Sequence, residues 1–134
     1  MENRETLIKA FYKHIENEEY SELQKYCHED FVFYPQMDTP FYGIEGLEKS
    51  EGKNFAPFPG FSMPVKEIIL DDKDRAAVYL VFEGKHSGAP FNGIELTDKK
   101  VKFSLMMLLK FKDNKIIEKH SHVNIQDIIN QLEN

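Results

Sequence analysis

A single cysteine, Cys27, stands among the 134 residues, so neither an internal disulfide nor a cysteine-based metal site can form. It reads as a packing residue at a helix end, with no signature of a nucleophile around it. No window approaches the ~20 consecutive apolar residues of a membrane span. The start, Met1-Glu2-Asn3-Arg4, runs into a charged helix with no apolar leader. Basic residues are outnumbered 17 to 23 by acidic ones, a formal charge of −6, so the electrostatic footprint of a nucleic-acid or anionic-membrane binder is missing. Gly84, Gly88 and Gly93 are not followed by a helix and therefore make no phosphate cradle. Internal repeats, low-complexity tracts and linkers are also lacking. These absences point to an acidic cytoplasmic protein with neither nucleic acid nor membrane as partner.

What is present suffices for one core. With 41% hydrophobic and 13% aromatic residues, one domain over residues 1–134 is expected. Leu7, Ile8, Phe11, Tyr12 and Ile15 recur at helical spacing, which predicts an amphipathic helix over Glu5–Glu19. Ser21-Glu22-Leu23-Gln24 is a capping-box pattern for a second, shorter helix. A short strand over Phe31–Tyr34 stops at Pro35, Gln36 to Tyr42 reads as a loop, and a third helix opens at Gly43 and frays by Ser50-Glu51-Gly52. The proline-punctuated run Phe55–Phe61 cannot be a regular element, and is expected to cover an open end of the core. Strands follow over Met63–Leu70 and Ala76–His86, joined by the charged turn Asp71-Asp72-Lys73-Asp74.

The most informative stretch is Val101 to Asn124. Val101, Phe103, Leu105, Met107, Leu109 and Phe111 alternate with Lys102, Ser104, Met106, Leu108 and Lys110, the period of a strand with one buried face. Asp113-Asn114 between Lys112 and Lys115 predicts a two-residue hairpin turn. An unbroken register then sets Phe103 opposite Asn124, Leu105 opposite His122, Met107 opposite His120 and Leu109 opposite Glu118. Polar groups placed on an apolar face either satisfy one another or line a cavity, since an unpaired one costs on the order of 1–3 kcal/mol. The sharper expectation is a pocket with Glu118, His120, His122 and Asn124 on one wall. A short helix should begin at Asn124, with Ile125, Ile128, Ile129 and Leu132 on its apolar side.

Three helices followed by a long, bent antiparallel sheet give an α+β class in which helices close one sheet face. Four patches then carry a family resemblance: Tyr42-Gly43-Ile44-Glu45-Gly46 at a helix entrance, Phe58-Pro59-Gly60, the connection Gly84 to Gly93 with Leu96-Thr97-Asp98, and Asp113 to Glu118 together with Asn130-Gln131-Leu132. In their order and spacing, from about Phe31 to Leu132, the chain resembles the SnoaL-like polyketide (ester) cyclases of the nuclear-transport-factor-two-like superfamily. The resemblance implies a cone-shaped, strongly curved, mostly antiparallel sheet, with N-terminal helices covering its concave face and a short C-terminal helix.

It also implies a cofactor-free proton shuttle for ring closure, carried by a carboxylate in the last strand. Counting from either side lands on Asn124, an amide that cannot accept a proton. Tyr34 falls where the cyclases tend to have a histidine, and His120 where the family often has tryptophan. One function is then an enzyme acting on a small hydrophobic carbonyl compound, with His120 as proton shuttle and with Asn124 and Tyr34 as donors to an enolate oxygen. Tyr34, His86, Phe103, Met107, Glu118 and His122 are the expected substrate-binding residues. The other function is a non-catalytic binder that has kept the pocket and lost the acid. His120 and His122 are a feasible metal pair, but a third ligand from Glu118 or His86 would have to be assumed, so no metal and no cofactor is expected. Met106, Leu108, Ile117 and Val123 share the other sheet side with few charges, which predicts a homodimer through that face.

Overall fold

In the structure, a computed structural model that describes residues 3–134, Asn3 starts the first helix: its Oδ1 accepts from the backbone N–H of Glu5 and Thr6. Met1 and Glu2, read above as a start without a leader, lie outside the described residues. Helix α1 spans Arg4–Glu16 and buries the expected stripe of Leu7, Ile8, Phe11, Tyr12 and Ile15. It stops three residues short of Glu19 because Glu18 takes a left-handed conformation, φ 55°, which a helix cannot continue through. The capping-box segment forms a single 3-10 stretch, Tyr20–Lys25, with no side-chain cap. It is tied down instead by buried Tyr20 and Leu23.

Strand β1 is longer than the apolar run alone indicates, Cys27–Gln36. The expected loop contains a short strand β2, Thr39–Tyr42, at the sheet edge, where Pro40 costs no ladder bond. Helix α2 continues through Gly52 to Phe55, because Leu47, Glu51 and Phe55, at i, i+4 and i+8, all sit on its buried face. Strands β3 (Val65–Leu70), β4 (Arg75–Lys85), β5 (Lys100–Lys112) and β6 (Lys115–Val123) and helix α3 (Ile125–Glu133) complete the chain.

The strands form one sheet in the order β2-β1-β6-β5-β4-β3. Every pair is antiparallel except β1 with β6. Strands β4 and β5 pair without interruption from Arg75↔Lys110 to Lys85↔Lys100, and Val78, Leu80, Phe82, Leu105, Met107 and Leu109 face the core. Phe11 of α1 is fully buried, its ring 5.9 Å from the ammonium of Lys119 on β6. The proline-rich segment closes one end as expected, with Phe58 and Phe61 buried and the Pro57 carbonyl accepting from the N–H of Ser87 and Gly88.

The hairpin register needs correction. Asp113 and Asn114 both have positive φ, and Lys112 pairs with Lys115 as expected. Phe111 then pairs with Ile116, but Lys110 pairs with Glu118. Ile117 is the extra residue of a bulge, and it flips every later side chain of β6 to the other face. Leu109 therefore faces Lys119 rather than Glu118, Met107 faces Ser121 rather than His120, and Leu105 faces Val123 rather than His122. The unbroken register would have sent Glu118, His120, His122 and Asn124 inward. The bulged one sends in a single charged group, Lys119, which has a partner.

Candidate functional site

Between the concave sheet face, α2, α3 and the Phe55–Phe61 segment lies a cavity of about 300 Å³. Its walls are mainly aromatic: Phe33 of β1, Phe55 of α2, Phe58, Phe82 of β4, Phe91 and Phe103 of β5. Leu105 and Met107 of β5 and Ile125 and Ile128 of α3 add aliphatic surface. Helix α3 is held across β5 by a reciprocal amide pair: Gln131 Oε1 accepts from Lys102 N–H at 2.9 Å, and its Nε2 donates to the Lys102 carbonyl at 2.8 Å.

The rings are ordered. Phe55 lies 4.3 Å from Phe61, Phe61 stacks on Phe82 at 4.9 Å and 12°, and Phe82 stacks on Phe103 at 4.7 Å and 18°. Phe103, the last ring of this ladder, is only partly buried and lines the cavity. A flat apolar occupant laid on it would continue the stacking already present.

Polar groups enter the wall at a few points. Ser121 and His122 come from β6, Gln36 from β1, and Asn54 and Glu51 from α2. Glu51 is 5% exposed and Lys119 0%, and they form an ion pair at 2.5 Å between Oε2 and Nζ. Tyr20 donates its hydroxyl to the other carboxylate oxygen, Oε1, at 3.2 Å. The ammonium sits over the rings of Phe33 (4.8 Å), Tyr12 (5.4 Å) and Phe11 (5.9 Å), so aromatic faces replace the water it has lost. Burial, and then the charge of Glu51, push the Tyr12 and Tyr20 phenols well above their usual range, which keeps both protonated. The Tyr12 hydroxyl has no hydrogen-bond partner among the described residues.

Of the residues expected at the site, Phe103 and Met107 line this cavity, and His122 borders its edge, exposed and opposite Met106 on the outer face. Tyr34, Glu118 and His120 are brought together on the other sheet face by the bulge. The His120 ring stacks on Tyr34 at 4.5 Å and 2°, and its Nε2–H donates to Glu118 Oε1 at 2.9 Å. Asn124 is the N-cap of α3: it is exposed, and its Oδ1 accepts from Asp127 N–H at 3.2 Å. His86 is fully buried away from the cavity. There Nε2–H donates to the Ala89 carbonyl at 2.8 Å and Nδ1 accepts from Thr97 N–H at 3.3 Å, which pins the β4–β5 connection. Among the described residues no group of three His, Cys, Asp or Glu side chains is placed to hold a metal ion.

Glu51, Lys119 and Ser121 were not singled out from the sequence. Lys119 and Ser121 were hidden by the bulge. Glu51 carried a readable signal, since it occupies the apolar stripe between Leu47 and Phe55.

The sequence profile of the SnoaL-like polyketide cyclase family matches residues 5–132. No curated protein matches the chain. Among solved structures, IdmH of Streptomyces antibioticus, a proposed polyketide cyclase, is 20% identical over 99% of this chain and 100% of its own, with a TM-score of 0.86. AclR of Streptomyces galilaeus, a proposed hydroxylase, is 23% identical over 97% and 95%, TM-score 0.82. A SnoaL-like polyketide cyclase of Agrobacterium tumefaciens is 20% identical over 98% and 99%, TM-score 0.81. At these identities the likeness is one of fold.

Proposed function

Because this chain belongs to the SnoaL-like polyketide cyclase family, we propose that it binds a small, flat, hydrophobic molecule bearing a carbonyl group in the phenylalanine-lined cavity. The observation that carries this reading is the ring ladder ending at Phe103, inside a cavity of about 300 Å³. That is the low end of the roughly 300–1,000 Å³ typical of ligand sites. The Ser121 hydroxyl and the Asn54 and Gln36 amides in the wall are donors suited to a carbonyl oxygen. A second reading, proton transfer on the same occupant without a cofactor, is favoured by the buried carboxylate in the wall, Glu51, a usual acid–base group. With an amide at Asn124, the acid–base role falls to Glu51.

The same reading includes a homodimer through the outer sheet face, where Tyr79, Met106 and Leu108 are exposed; the bulge turns Val123, expected on that side, to the face of Leu105. It also places the protein in the cytoplasm, a reducing compartment that suits a free cysteine at position 27. No described helix is long and apolar enough to cross a membrane.

The test uses 2-tetralone, a bicyclic aryl-fused ketone, in D₂O. Binding raises the melting temperature of the folded chain by mass action, and its absence at millimolar ligand contradicts the reading. Loss of the ketone's α-proton signals faster than in protein-free solution marks an enzyme. Stabilisation without exchange marks a binder.

A further inference from the structure

A buried ion pair in the wall of an apolar cavity needs a reason. Replacing such a pair by well-packed apolar residues is often neutral or stabilising, so stability does not explain its presence. Helix periodicity calls for an apolar residue at position 51, between Leu47 and Phe55, yet a carboxylate stands there, 5% exposed and in contact with the cavity. An ionised carboxylate has about four acceptor positions. The protein fills one on each oxygen, with the Tyr20 hydroxyl on Oε1 and the Lys119 ammonium on Oε2. Acceptor capacity remains on the group that lines the cavity. Lys119 itself does not line it; it grips Glu51 from behind and is enclosed by aromatic faces.

We propose that Glu51, positioned by Lys119 and Tyr20, is the group by which the cavity selects an occupant carrying a hydroxyl donor, a phenol or an enol, on its apolar ring system. This rests on the reading that the cavity binds a small hydrophobic molecule, and it adds the second polar group of that molecule: besides a carbonyl that accepts, a hydroxyl that donates. A hydroxyl aimed at Glu51 forms a charge-assisted bond in a site of low dielectric. A methyl ether in the same place leaves the carboxylate without that donor and crowds it. Lys119 is a positioning residue, because it fixes which face of the carboxylate the occupant meets.

The test compares two probes of one skeleton, 1-naphthol and 1-methoxynaphthalene, by titration of the full chain at pH 7. The wild-type protein should prefer the naphthol by at least about tenfold, the ratio equivalent to ~1.4 kcal/mol. Glu51→Gln should narrow that preference. A single loss of charge can unfold a chain by stranding Lys119, so the decisive variant is the double substitution Glu51→Leu/Lys119→Met, which removes both charges at similar volume. It should bind the two probes within about threefold of each other, with the ether bound no more weakly than by wild type. Equal binding of both probes by the wild type, or a naphthol preference that survives the double substitution, overturns the proposal. Failure of the wild type to bind either probe at millimolar concentration overturns the cavity reading and this proposal together.

Discussion

Asn124 shows how far a single residue can be read before its neighbours are placed. Its N-cap signature, with an acid three residues on, is legible in the sequence, and the structure makes that bond to Asp127. Its assignment to a pocket wall depended on the register of β6, which the sequence does not display. Asn124→Ala should lower stability by about 1 kcal/mol through loss of the cap, whereas Asn124→Asp should leave it within a few tenths, since both residues cap well and a carboxylate suits a helix N-terminus. Urea unfolding of the three proteins checks this, and strong destabilisation by aspartate would place residue 124 in an apolar environment. Cys27 is the other residue-scale case. Burial pushes its thiol up to about 12, offset only in part by the charges of Lys119 and Lys115. At pH 8 the folded chain then holds roughly a thousandfold less thiolate than a free cysteine. Iodoacetamide should label Cys27 slowly in the folded protein and rapidly in urea, and the folded rate should rise as pH climbs toward 12. Fast labelling at pH 8 would mean an open site.

At the scale of elements, alternation and turn chemistry were enough to place β4, β5, the Asp113-Asn114 turn and α3. They were enough to find Phe103 and Met107 too, because a strand with one buried face prints its period in the sequence. The bulge at Ile117 left no such print. It adds one residue to β6 with no glycine or proline to mark it, and the register goes with a tertiary partner: Glu51 on α2 accepts from the Lys119 that the bulge turns inward. Strand β2 and the last turn of α2 were missed for a related reason, since both are held by packing against β1 rather than by their own propensity. Deleting Ile117 should remove the bulge yet keep Lys110 opposite Glu118 and Leu109 opposite Lys119, because the residue lost is the extra one. The expected result is cooperative thermal unfolding, followed by circular dichroism, with Lys119 still inside. Loss of cooperative unfolding would show that the fold needs the bulge itself.

For the whole molecule, the curled sheet has two faces with different chemistry. The concave side, closed by α1, α2, α3 and the Phe55–Phe61 segment, holds the cavity. The outer side carries Tyr79, Met106 and Leu108 beside the Tyr34–His120 stack. If that side joins two copies, Met106→Glu should convert a dimer into a folded monomer, because a charge at the centre of an apolar interface must be desolvated. Sedimentation at tens of micromolar reads the outcome, and a wild-type monomer there removes the claim. The two faces also compete directly as ligand sites, since a ring could stack on Phe103 inside or beside Tyr34 outside. One experiment decides between them: crystals of the chain soaked with 6-bromo-2-tetralone, with anomalous diffraction collected at the bromine edge. A bromine peak in the cavity, with the ring laid on Phe103 and the carbonyl directed at Ser121, Asn54 or Gln36, is the result expected. A peak on the outer face near His120, with no ligand density in the cavity, would contradict it.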